Sequence, residues 1–250
     1  MTNIKKIISQ YITPSVRLRV RSTYQSLLYS GNAVFCPCCG ESFRKFLPND
    51  KRQNARCPKC HALERHRLLW LYLQRCTNFF SHSLRVLHIA PEELLQRKFK
   101  QMKNLQYLSV DLESAIAMVK MDITNIPHPD ASFDVIFCSH VLEHIPDDAT
   151  AMNELYRVLA PGGWAILQSP IDLSLEQTVE DSGAVISKEE RKRLFGQEDH
   201  VRLYGKDYVN RLQNAGFTVV VDEFVRHFAP DDMKRFGLLP EEDLYLGMKQ

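Results

Sequence analysis

From Leu84 onward, short apolar runs alternate with segments whose apolar residues recur at helical spacing. The runs predict strands over residues 85–90, 106–111, 133–139, 164–168 and 217–224, with a last one in LYLGMK near the end of the sequence. Between them the pattern predicts helices over 91–102, 147–159 and 206–215. Alternation of this kind specifies an α/β fold with a mostly parallel sheet and helices on both faces. The run DVIFC, nearly continuous in apolar side chains, is what a strand covered on both faces requires.

Upstream the pattern changes. Ile4, Ile7, Ile8, Tyr11 and Ile12 fall at helical spacing ahead of Pro14. They lie in a segment, 1–34, that carries Lys5, Lys6, Arg17, Arg19 and Arg21 and no acidic residue. LERHRLLWLYLQRC, beginning at Leu63, is a helix with a broad apolar face. The expected organisation is a basic amphipathic segment (1–34), a cysteine-bearing module (35–62), a linking helix (63–83) and a sheet domain (84–250). Within the sheet domain, 171–205 is a long polar insertion that reads as a lid. A chain of 250 residues is long enough for one large domain and a small module.

Composition narrows the partners. The content is that of a soluble globular protein, 44% apolar and 25% charged. The longest apolar run, LLWLYL, is too short to cross a bilayer, and the N-terminus has no signal-peptide pattern, so a cytoplasmic location is expected. The acid-free segment 1–34 adds an expectation of peripheral contact at the inner membrane surface. A net charge of +2, without aromatic and basic residues interleaved, argues against nucleic acid.

Four of the seven cysteines form two pairs, Cys36 with Cys39 and Cys57 with Cys60, in the spacing C-x2-C-x17-C-x2-C. Two residues between thiols let one tight turn offer both sulfurs to one ion, and two such turns complete a tetrahedron. The pattern predicts structural zinc, Zn(2+), with all four positions filled by protein and none open to substrate. Cys38 is left over inside the first pair.

Candidate ligand residues gather where the predicted parallel strands end. Asp111 ends the second strand, where a carboxylate can accept both hydroxyls of a ribose. Asp122 follows in VKMDITNIP, after a short third strand, and the fourth strand, 133–139, opens into a turn with His140, Glu143 and His144. SFDVIFCSHVLEHI followed by ELYRVLAPGGWAIL resembles the class I S-adenosylmethionine-dependent methyltransferases, in the branch that acts on small molecules. With the zinc ribbon ahead of it, the chain looks like a bacterial group of zinc-ribbon methyltransferases. The resemblance covers residues 84–250.

It implies a seven-stranded Rossmann-like sheet with one antiparallel strand near the edge, and S-adenosyl-L-methionine as cofactor. It also implies Asp111 and Leu112 at the ribose, Asp122 and Ile123 at the adenine, and Ser139 with His140 beside the sulfonium. The departure lies in the opening turn, where the family's acidic residue and Gly-x-Gly-x-Gly become His88, Ile89, Ala90, Pro91 and Glu92. The chain has no glycine between Gly40 and Gly162. Pro91 suits a first helical position, and Glu92 at the helix N-terminus either caps the helix or binds the cofactor's ammonium.

For chemistry, methyl transfer needs in-line positioning, and a base where the acceptor must lose a proton. His140 and Asp172, at the ends of the fourth and fifth strands, are the candidate bases. His200, Arg202 and Tyr204 alternate within the insertion and are the candidate substrate contacts, with latching of the lid as the other reading. The expected activity is methyl transfer to a small or carrier-linked acceptor, such as a glycan or lipid-linked intermediate. The alternatives are an RNA methyltransferase and a degenerate binding protein that lost its cofactor with its glycines.

Overall fold

The computed structural model describes residues 14–181 and 187–250, so the predicted helical run from Ile4 to Ile12 lies outside the described residues. Helix α1 (Pro14–Leu28) starts at a proline, whose missing N–H has no partner to lose in a first turn. Two short antiparallel hairpins follow, β1 (Ser30–Cys36) with β2 (Glu41–Phe43) and β3 (Leu47–Asn49) with β4 (Arg52–Arg56). Helix α2 (Glu64–Cys76) buries Leu68, Leu69, Trp70, Leu71, Tyr72 and Leu73. Its first turn is closed by His66, whose Nδ1 accepts the Leu63 N–H at 3.1 Å.

The chain divides into two units, and residues 78–223 with 243–250 form the second. Its strands are β5 (Leu84–Ile89), β6 (Leu105–Asp111), β7 (Val119–Lys120), β8 (Phe133–Ser139), β9 (Leu159–Gln168), β12 (Thr218–Asp222) and β13 (Leu244–Met248). They form one sheet in the order β12-β13-β9-β8-β5-β6-β7. β13 alone runs antiparallel to its neighbours β9 and β12, one place in from the edge, as the resemblance implied. A further pair, β10 (Val179–Glu180) with β11 (Arg202–Leu203), lies outside the main sheet.

The central strands β5 and β8 are buried along nearly their whole length, which explains their unbroken apolar runs. Helices are shorter than the periodicity predicts: α3 (Glu93–Phe99) for 91–102, α4 (Asp148–Val158) for 147–159 and α6 (Tyr208–Asn214) for 206–215. α4 starts where the Asp147 carboxylate accepts the Thr150 N–H at 2.9 Å. Helix α5 (Lys188–Phe195) occupies the polar insertion and ends at Gly196, whose left-handed φ of 87° suits a glycine.

Residues 224–242 return to the first unit, although the sequence pattern reads them as part of the sheet domain. They carry a helical turn, Phe224–His227, and helix α7 (Pro230–Phe236). Their rings join α2 and the hairpins: Tyr72 meets Phe224 at 5.2 Å, and Phe35 meets Phe236 at 6.2 Å. The buried Arg67 fixes the arrangement. Its guanidinium donates to the carbonyls of Ala55, Ala62, Phe236 and Gly237 at 2.6–2.8 Å and lies over the Phe46 ring. Gly237 has φ 59°, and a Cβ there would stand 2.8 Å from Phe46.

Candidate cofactor site and cysteine cluster

In the first unit the two cysteine pairs come together. Cys36 Sγ lies 3.5 Å from Cys60 Sγ, and Cys39 Sγ lies 3.8 Å from Cys57 Sγ. Thiolates bound at 2.3 Å to one tetrahedral ion stand about 3.8 Å apart, so the four sulfurs fit such an ion. The two turns are built alike. The Gly40 N–H donates to the Cys36 carbonyl at 2.8 Å and the His61 N–H to the Cys57 carbonyl at 3.1 Å. Both residues take left-handed φ, 73° and 65°. The side chains of His61 and His66 are used elsewhere, His61 against Arg56 at 3.0 Å. Cys38, also buried, points its thiol to the His66 carbonyl at 3.4 Å.

In the second unit the strand order reverses between β5 and β8, where β5 pairs with both β6 and β8. In open α/β sheets ligands bind beyond the carboxyl ends of the strands at that reversal. Two residues there are left-handed without being glycine: Ala90, with φ 45°, and His140, with φ 57°. Each extends the ladder by one bond before the chain turns, Ala90 N–H to the Val110 carbonyl and His140 N–H to the Gln168 carbonyl, both 2.8 Å. Left-handed backbone costs a residue with a Cβ about 1–2 kcal/mol, and strain of this kind concentrates at binding sites. The turn therefore keeps a glycine-like conformation with alanine in place.

Pro91 is not the first helical residue. α3 begins at Glu93, so Pro91 precedes the backbone cap at Glu92. The Glu92 side chain makes no capping bond; its Oε2 lies 3.1 Å from His88 Nε2. His88 is buried in a ring cluster with Phe99, Phe137 and Tyr107, and its Nδ1 lies 2.8 Å from the Tyr107 hydroxyl. An ionised carboxylate only accepts, so Nε2–H donates to Glu92 and Nδ1 accepts from Tyr107. Burial pushes the Tyr107 phenol up, which keeps it a donor. Nothing in the sequence marks Tyr107; the strand register brings it to His88. His88 pairs with Ser109, so Tyr107, two residues earlier, shares its face.

The three candidate aspartates share one geometry. Asp111 Oδ1 accepts the N–H groups of Glu113 and Ser114 at 2.8 and 2.7 Å. Asp122 Oδ1 accepts the N–H and hydroxyl of Thr124, and Asp172 Oδ1 those of Ser174. In each case one oxygen holds its own loop, and Oδ2 lies outside those bonds. The Ser174 hydroxyl, and then its N–H, hold Asp172 below the usual carboxylate range, which weakens it as a base. Leu112 is 60% exposed beside Asp111, and Ile123 is buried beside Asp122. The buried Gln96 of α3 donates to Ser109 Oγ and the Ile116 carbonyl, both at 2.7 Å, fixing the loop after β6.

His140 follows the half-buried Ser139, and its imidazole is accessible, with Nδ1 3.4 Å from Glu143 Oε1. Of the residues expected to meet substrate, Arg202 and Tyr204 are instead consumed by the fold. Arg202 is 2% exposed and donates to the carbonyls of Leu142, Ile145 and Pro146. Tyr204 is fully buried and donates to Asp148 Oδ2 at 2.7 Å. His200 is also buried, with Nδ1 2.9 Å from the Phe195 carbonyl. The alternating trio latches the insertion onto the sheet unit, and burial leaves Arg202 and Tyr204 no free head group for a substrate.

Residues 72–167 match the family model described as a methyltransferase domain. The fold agrees, since the sheet is the mostly parallel, seven-stranded sheet of the Rossmann-like methyltransferases. An S-adenosylmethionine-dependent methyltransferase of Mesorhizobium loti superposes with a TM-score of 0.50 at 17% identity, over 72% of this chain and 96% of that one. The [4+2]-cyclase SpnF superposes with a TM-score of 0.51 at 15% identity, over 82% and 86%. A tRNA U34 carboxymethyltransferase of Nautilia profundicola is 25% identical over 70% of this chain. The chain spans 63% of the length of that relative and 33% of an ajmaline N-methyltransferase of Rauvolfia serpentina, which is 31% identical over 96 residues.

Proposed function

We propose that the chain is an S-adenosylmethionine-dependent methyltransferase acting on a small or carrier-linked acceptor, with structural zinc in its four-cysteine site. One observation carries this reading. The glycine-free turn at the strand reversal keeps a left-handed residue, Ala90, beside a carboxylate, Glu92, that is held on His88 and withheld from the helix end. Asp111 lies at the end of the adjacent strand. In this reading Glu92 takes the methionine ammonium, Asp111 Oδ2 the ribose, and Asp122 with Ile123 the adenine. Ser139 and His140 flank the sulfonium, and His140 is the base where the acceptor must lose a proton. Bound S-adenosylmethionine supplies the methyl group; the chain's task is to orient it and exclude water.

Calorimetric titration of the zinc-loaded protein with S-adenosylmethionine is expected to give saturable heat. Asp111→Ala should weaken binding about 10–100-fold, the loss of charge-assisted hydrogen bonds to the ribose. Glu92→Gln, which preserves the contact with His88, should weaken it about tenfold if the ammonium is held there. No heat and no thermal shift at millimolar cofactor would sink the reading. The same protein given methyl-labelled cofactor tests the acceptor, and label passing into bulk tRNA would assign RNA in its place.

The proposed membrane contact has support in α1. Val20, Tyr24 and Leu27, spaced four and three apart, share one face and are 62–74% exposed, among arginines in sequence. None of the described helices is long and apolar enough to cross a membrane, so the contact would be peripheral. Sedimentation with vesicles containing anionic lipid should pull down the full chain and lose it with Val20→Ser and Leu27→Ser together. Equal sedimentation of both proteins would remove the proposal.

A further inference from the structure

We infer that Glu143, His144 and His200 form a second metal site, for one divalent ion of the zinc class, just beyond the carboxyl end of β8. Each residue offers one ligand atom, and these atoms all lie within 4.8 Å of one another. A small side-chain adjustment would bring them to the 2.0–2.2 Å bond lengths that zinc makes with imidazole nitrogen and carboxylate oxygen.

Two buried atoms point to an ion and not only to a cluster. Glu143 is 1% exposed; its Oε2 accepts from the Ser169 hydroxyl at 3.0 Å, but Oε1 has no hydrogen-bond partner. His200 is 2% exposed, and its Nε2 likewise has no partner. The tautomer of His200 is set by its neighbour: Nδ1–H donates to the Phe195 carbonyl, which leaves the lone pair on Nε2. Metal-binding histidines characteristically donate their other N–H to a backbone carbonyl in this way. A buried acceptor without a donor costs about 1–3 kcal/mol, and one cation would satisfy both atoms together.

His144 completes the set. Its ring stands edge-to-face with that of His200 at 4.7 Å, and its Nδ1 lies 3.4 Å from the exposed carboxylate of Asp199. Two imidazoles and one carboxylate suit zinc over magnesium or calcium, which prefer all-oxygen shells. Three protein ligands leave a coordination position open, unlike the closed four-cysteine site. His140 lies within 3.4 Å of Glu143 Oε1. If methyl transfer is the activity, an ion here would stand beside the proposed base and could take an acceptor oxygen. That consequence rests on the proposed function, whereas the metal site itself does not.

Metal content separates the two. The full-length protein, loaded with zinc and desalted, should retain two equivalents per chain. His200→Asn, which can keep a donor toward Phe195, should retain one, and so should His144→Ala at a less buried position. With cobalt as the probe, the wild type should show the sulfur-to-metal band of the four-cysteine site and a weaker ligand-field band without sulfur character. The variants should lose only the second, so an unchanged sulfur band reports an intact first unit. One equivalent in the wild type, or two in both variants, would overturn the site. None of these readings depends on the cofactor, so failure of cofactor binding would leave them unaffected.

Discussion

With structural zinc in the four-cysteine site, as proposed, stripping the metal is expected to unfold the ribbon and release residues 224–242 from it. Structural zinc contributes about 10–16 kcal/mol of apparent free energy in small zinc-binding modules, more than most whole domains have to spare. The hairpins offer little to replace it, since β2 and β3 are three residues each. The damage should travel through Arg67. The second cysteine turn places the Ala62 carbonyl, which accepts the Cys57 N–H at 2.9 Å, against the Arg67 guanidinium. The same guanidinium holds Phe236 and Gly237, so a loosened turn releases one side of its grip and leaves a buried charge half-satisfied. Limited proteolysis under reducing conditions should show chelator-induced cleavage within 35–62 and 224–242, reversed by zinc. Cys57→Ser should behave like the chelated protein. Cys38→Ser should not, because that thiol faces the His66 carbonyl. Equal protease resistance with and without chelator would refute the structural role.

The sheet was legible because its signal is local and repeated. Apolar runs ended by Asp111 and Ser139 mark parallel strands, the second buried along nearly its whole length. The cysteine spacing was legible because two thiols on one turn have few other uses. What local sequence does not carry depends on direction or distance. Arg202 in a polar insertion reads as a substrate contact or as a latch, and nothing local announces that the carbonyls of Leu142, Ile145 and Pro146 turn toward it. Residues 224–242 follow a sheet strand in sequence, yet their aromatic side chains find a ring surface more than 140 residues back. At the opening turn the pattern places the first helical residue at Pro91, two residues early. Periodicity cannot see that Ala90 goes left-handed first, which delays the helix to Glu93. That same delay frees the Glu92 side chain from capping and lets it return to His88.

Asp148→Ala is expected to be among the most damaging single substitutions in the sheet unit, although Asp148 touches no proposed ligand. Its carboxylate is 3% exposed and accepts from Tyr204 at 2.7 Å and from Arg211 at 2.7–3.1 Å, with Arg202 Nε at 3.6 Å. Alanine would leave the buried Arg202 with its three backbone carbonyls but no close carboxylate, the Glu180 contact being 3.7 Å, and would take from Tyr204 the acceptor of its buried hydroxyl. Removing one partner of a buried ion pair costs about 3–5 kcal/mol, chiefly because the other charge stays desolvated. For a unit of this size that is a fall in Tm of about 10 °C. The direction of the loss is testable apart from its size. If an unpaired charge is the cause, adding Arg202→Met to Asp148→Ala should recover part of the stability, whereas a cavity would only deepen. Asp148→Asn, which keeps an acceptor for Tyr204 but not the charge, should fall between wild type and Asp148→Ala. Urea unfolding of the four proteins measures all three comparisons, and a loss below about 1 kcal/mol for Asp148→Ala would show that the latch of the insertion lies elsewhere.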